Sequence, residues 1–162
     1  LVQRIGIIGA GAFGTSLAKV IAEKGIDVTM WSFDKDGCEQ INSVNENKKF
    51  LPGIKLPTNI KATTSIIEAA SDKEILILAS PSLFILDSVK KLLDVPYVKD
   101  GLTTIGIVAK GFIPSKEEPK LIIETIENYL PGFYRDNLVY ISGPSHAEEV
   151  ATGGFTGLIS AS

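Results

Sequence analysis

The chain has 162 residues, 44% hydrophobic and 22% charged, which suits one globular domain and excludes a disordered chain, a fibre or a second catalytic domain of ordinary size. Lys and Arg number 16 against 19 Asp and Glu, a formal net charge of −3 with no basic block, so a surface that tracks nucleic-acid phosphates is disfavoured. The longest apolar stretch, residues 75–86, is broken by Ser80, Pro81 and Ser82 and is too short to span a bilayer as a helix.

Residues 4–8 are apolar almost throughout, as a strand covered on both faces should be, and they predict a central first strand. Residues 13–24 follow as a helix with Phe13, Leu17, Val20 and Ile21 on one face and Gly25 as a left-handed cap. Residues 27–31 predict the second strand, and Asp34 is placed to cap a helix over 35–44. The polar stretch 45–59, with Pro52-Gly53 and Pro57, reads as a long ordered loop. Beyond it, strands are expected at 60–63, 74–79, 103–109 and 138–142. Helices are expected after the capping box Ser65-Ile66-Ile67-Glu68, over 83–93 with Ser82 as cap, and over 116–129. The run 157–162 looks like a further buried strand. This alternation predicts an α/β fold, a doubly wound and mostly parallel sheet of the Rossmann kind.

Gly9-Ala10-Gly11-Ala12-Phe13-Gly14 fits G-x-G-x-x-G between a strand and a helix. Gly9 permits the tight turn, Gly11 lets a pyrophosphate approach the backbone, and Gly14 lets the helix pack closely, while the helix N-terminus supplies N–H donors. That context points to a dinucleotide; a ligand-free turn and a methyl-donor site are the alternatives. At the end of the second strand Asp34 either holds a ribose 2′-hydroxyl or only caps the next helix. No Arg stands there for a 2′-phosphate, although Lys35 is near, and Phe33 either lies on the adenine or fills a groove.

Three more motifs follow three more strands: Ser80-Pro81-Ser82, Lys110-Gly111 and Ser142-Gly143-Pro144-Ser145-His146-Ala147. In a parallel sheet they converge with the glycine loop on one edge, where such folds bind ligands. Lys110 at the end of an apolar strand is expected to be partly desolvated unless it meets an anion or a carbonyl. Gly143 and Ser145 can offer an N–H and a hydroxyl to a small polyol; alternatively Ser145 is a helix cap boxed with Glu148. The lone His146 has no orienting partner in sequence and cannot make a metal site alone, and Cys38 reads as a small buried apolar residue. With one cysteine and no cleavable signal before the first strand, a cytoplasmic setting is expected.

The glycine loop, the segment Asn47-Lys48-Lys49-Phe50-Leu51-Pro52-Gly53-Ile54-Lys55-Leu56-Pro57-Thr58-Asn59-Ile60, the pair Lys110-Gly111 and the run from Ser142 to Ala151 together resemble the NAD(P)-dependent glycerol-3-phosphate dehydrogenases. The resemblance covers nearly the whole chain. It implies hydride transfer between C2 of sn-glycerol 3-phosphate and the nicotinamide of NAD or NADP, with dihydroxyacetone phosphate as the ketone. By the same resemblance Gly9, Gly11, Ala12, Phe13 and Gly14 cradle the cofactor phosphates, and Phe33 lies beside the adenosine. Ser80, Pro81 and Phe84 lie near the nicotinamide ribose, and Ala147 contacts the cofactor. Lys110 touches cofactor and substrate, and Gly143 and Ser145 touch substrate. The family's proton-abstracting Lys and its substrate-phosphate site belong to a helical C-terminal domain, so no catalytic residue is assigned in this chain and no metal is expected. Residues 1–162 are then the cofactor domain, excised from a longer enzyme of phospholipid-precursor synthesis that is a possible homodimer. A stand-alone nucleotide-binding or redox-sensing module, and a dehydrogenase of another small substrate, are the competing readings.

Overall fold

A computed structural model describes residues 3–114 and 118–162. Its main sheet has seven strands: β1 (Arg4–Ile8), β2 (Asp27–Trp31), β3 (Ile60–Thr63), β4 (Ile75–Leu78), β5 (Thr104–Ile107), β8 (Val139–Ser142) and β9 (Ile159–Ala161). The order is β3-β2-β1-β4-β5-β8-β9, parallel throughout except for the antiparallel β8–β9 pair. Chain order runs outward from β1 to β3 on one side and from β4 onward on the other. The reversal therefore falls between β1 and β4, the topological switch point where open α/β sheets take ligands.

Side chains alternate across the sheet and build two cores. Ile5, Ile7, Val28, Met30 and Ile77 pack with the helices α1 (Ala12–Ala22) and α2 (Lys35–Val44). Ile8, Leu76, Leu78, Ile105 and Ile107 pack on the opposite side with α3 (Ile66–Ala70), α4 (Ser82–Leu92) and α6 (Ile122–Glu127). The short helix α5 (Pro96–Lys99) adds the buried Val98 to this second core. Close approach decides which residues of α1 are buried. Gly14, Ala18 and Ala22, four apart, face the sheet, while the larger Phe13, Leu17 and Ile21 are only partly covered.

Several local expectations change. In the described part of the stretch expected as one helix over 116–129, Lys120–Leu121 forms β7, which pairs as a ribbon with β6 (Phe112–Ile113) ahead of that stretch, and the helix is only the shorter α6. Pro119 lies inside that stretch and Pro114 just ahead of it, and proline disfavours helix at itself and at the residue before it; Lys116 and Glu117 lie outside the described residues. Ser82 is the first residue of α4 and Pro81 its cap, with no side-chain capping bond. Ser65 does cap α3 through the Glu68 N–H at 3.2 Å, but the Glu68 carboxylate accepts the Thr63 hydroxyl at 2.5 Å instead of closing the box. The terminal run forms β9 as an exposed edge strand, not a buried one, with Ile159 74% exposed.

Candidate functional site

The loops after β1, β2, β4, β5 and β8 leave the same edge of the sheet, so the motifs found in sequence do converge. The three glycines of the first loop meet different surroundings. Gly9 has φ 127°, and a Cβ there would lie 2.8 Å from the Ser80 nitrogen, so β1 and β4 are in close backbone contact at the switch point. A Cβ on Gly14 would strike the Gly9 carbonyl oxygen. A Cβ on Gly11 would find no protein atom within 4 Å. Gly11 is also the N-cap of α1, with no side-chain cap and no acid in the first turn. An uncapped helix N-terminus facing open space suits an anion, and the residues present therefore fit a dinucleotide pyrophosphate.

Across the switch point the Ser80 hydroxyl is buried and donates to the Ile8 carbonyl at 3.0 Å. That bond ties β4 to β1 and turns the hydroxyl away from the cleft. Pro81 is exposed at the start of α4, and Phe84 in the first turn of that helix is 59% exposed. Phe33, just beyond β2, is 80% exposed. Two exposed aromatic side chains thus stand at this edge.

Lys110 emerges from the buried Val108 and Ala109 and is itself exposed. It meets a carbonyl, one of the two partners that spare it desolvation. Its Nζ lies 3.2 Å from the Gly143 oxygen, which also accepts the Ser145 N–H at 3.0 Å and the Ser145 hydroxyl at 3.5 Å. Ser145 is consequently not the cap of α7 (Ala147–Ala151). His146 stands there, with no side-chain capping bond, and it is exposed. Gly143 has a packing reason to be glycine, because a Cβ would strike the Gly157 carbonyl. Ala147 is drawn to the glycine loop by Ser16, whose hydroxyl reaches the Ala147 oxygen at 2.7 Å and the Ala12 oxygen at 2.9 Å.

Residues 4–162 match the family model described as the N-terminus of NAD-dependent glycerol-3-phosphate dehydrogenase. The chain belongs to that family. A glycerol-3-phosphate dehydrogenase [NAD(P)+] of Treponema denticola is 43% identical over 166 residues, an alignment covering 99% of this chain and 46% of the relative. Among solved structures, the glycerol-3-phosphate dehydrogenase of Coxiella burnetii superposes with a TM-score of 0.83 at 27% identity, over 99% of this chain and 47% of that one. The enzyme of Saccharomyces cerevisiae gives 0.76 at 29% identity, over 94% and 45%. The chain thus spans about half the length of the relatives it matches. No helix among the described residues is long and apolar enough to cross a membrane.

In this member of the glycerol-3-phosphate dehydrogenase family the glycine loop is also held from outside the strand-end motifs. Asn47 is buried and donates to the Ala10 carbonyl at 2.9 Å and to the Thr15 hydroxyl oxygen at 2.8 Å, clamping the glycine loop from the long connection after α2. Leu51 and Leu56, buried a few residues on, anchor that connection. The sequence signal for Asn47 is its place at the start of the family-like segment 47–60. Asp34 caps α2 by accepting the Gly37 N–H at 3.1 Å and pairs with Lys49 at 2.8 Å. The Lys49 ammonium and the Gly37 N–H hold its carboxyl below the ordinary 3.8. Cys38 is buried, and burial pushes its thiol up, which makes it a poor nucleophile.

Proposed function

We propose that this chain is the dinucleotide-binding half of an oxidoreductase that interconverts sn-glycerol 3-phosphate and dihydroxyacetone phosphate. The observation that carries the reading is the open space over Gly11 at the uncapped start of α1, on the edge that also presents Lys110, Gly143 and Ser145. In this reading Gly9, Gly11, Ala12, Phe13 and Gly14 hold the pyrophosphate by backbone and helix dipole. Phe33 flanks the adenosine, and Ser80, Pro81, Phe84 and Ala147 border the nicotinamide end. When bound, the nicotinamide supplies the hydride acceptor or donor for C2. Lys110 is placed to leave the Gly143 carbonyl for the substrate oxygen and to stabilise charge there, with the Ser145 hydroxyl as a second donor.

The test is a calorimetric titration with NADH joined to thermal melting. Cofactor at about a hundredfold over its dissociation constant should stabilise the fold by roughly 2.7 kcal/mol. Gly11→Val should remove that shift and leave a folded protein, because its branches enter only the open space. Undiminished binding by folded Gly11→Val, or a blank titration of the parent chain with both NADH and NADPH, overturns the proposal.

A further inference from the structure

The end of β2 carries no arginine, and Lys35 is directed along α2 toward Glu39, 3.6 Å away. A different cation reaches this place through the fold. Lys49, from the connection after α2, sets its Nζ 2.8 Å from Asp34 Oδ2 and 5.3 Å from the ring centre of Phe50. These residues share a shallow cleft with Ala10, Ser32 and Asn47 beside the glycine loop. In folds of this topology the end of the second strand meets the adenosine ribose, where an acid suits the 2′-hydroxyl of NAD and a cation the 2′-phosphate of NADP. This chain has both charges there, as a pair.

The pair is not locked. The Lys49 side chain is 59% exposed, and an exposed ion pair contributes little to stability, so a phosphate dianion can recruit the ammonium at small cost. An ammonium has three N–H donors, and Asp34 engages it from one side only, which leaves donors facing water. Asp34 for its part stays at its post without Lys49, because the Gly37 N–H holds Oδ1. Its negative charge then opposes a phosphate and favours a neutral hydroxyl.

We infer that Lys49 is the residue through which this chain admits NADPH as well as NADH, with Asp34 setting the opposing preference for the free 2′-hydroxyl. The inference rests on the cofactor-site reading above. Dissociation constants of the 162-residue chain for NADH and for NADPH, measured by titration at low and at moderate salt, test it. Lys49→Ala should lose about tenfold or more in affinity for NADPH and less than about threefold for NADH, and Lys49→Arg should keep both. Asp34→Asn, which keeps a capping oxygen, should shift the ratio toward NADPH. Added salt should weaken NADPH more than NADH in the parent, and the two alike in Lys49→Ala. An unchanged NADH-to-NADPH ratio in Lys49→Ala, whether affinity is kept or lost for both, overturns the assignment to Lys49 while leaving the cofactor site standing. A parent chain that binds neither cofactor overturns the cofactor site and this inference with it.

Discussion

A methyl group added at Gly11 or at Gly14 separates function from fold in a single loop. At Gly14 it collides with the Gly9 carbonyl, a backbone atom that cannot step aside, so Gly14→Ala should destabilise the chain by about 1–3 kcal/mol. At Gly11 the same methyl meets only open space, so Gly11→Ala should cost the apo fold less than about 1 kcal/mol while weakening the cofactor. Denaturant midpoints of the two variants, with and without NADH, check both expectations. Asn47 belongs to the same comparison. Asn47→Asp places a carboxylate against the Ala10 carbonyl in a buried position and should destabilise by about 1–3 kcal/mol and weaken cofactor binding through the glycine loop it holds. Equal stability of Asn47→Asp and the parent at neutral pH would show that the clamp is dispensable.

At the level of elements, α2 is the one whose stability depends on pH in a stated direction. Asp34 is held below its ordinary 3.8 by Lys49 and the Gly37 N–H, so its contribution is fully present above about pH 4 and disappears as pH falls through the lower, folded-state value. In Asp34→Asn the acid-side decline of the melting temperature should be shallower than in the parent; parallel pH profiles would show that the cap and the ion pair are not linked to folding. The cap was legible in sequence because an Asp ahead of a helical run is a local signal, as were the continuous apolar run of β1 and the glycine after α1. The ribbon β6–β7 was not, because α6 begins only after Pro119 and the helical spacing downstream masked the prolines. The glycine loop and the strand-end motifs were readable for the same local reason. The Asp34–Lys49 pair and the Asn47 clamp were hidden, since they join residues across a loop whose path no periodicity reports.

For the whole molecule, the proposed reaction needs a proton acceptor for the C2 hydroxyl within hydrogen-bond reach, and Lys110, whose Nζ already donates to the Gly143 carbonyl, is a poor one. The 162-residue chain should therefore bind cofactor yet produce no NADH from glycerol 3-phosphate at high protein concentration; clear turnover above a Lys110→Ala control would make it a complete enzyme. The two cores have a different consequence. Ile41 of α2 and Ile85 of α4 belong to the two separate cores on opposite faces of a sheet one backbone thick. Ile41→Val and Ile85→Val should each cost about 0.5–1.5 kcal/mol, and the double variant should cost their sum within about 0.5 kcal/mol. The sheet is thus a partition for mutational epistasis: a defect on the α4 face is compensated by repacking on that face, and the α1–α2 face that carries the nucleotide loop is left free to diverge on its own.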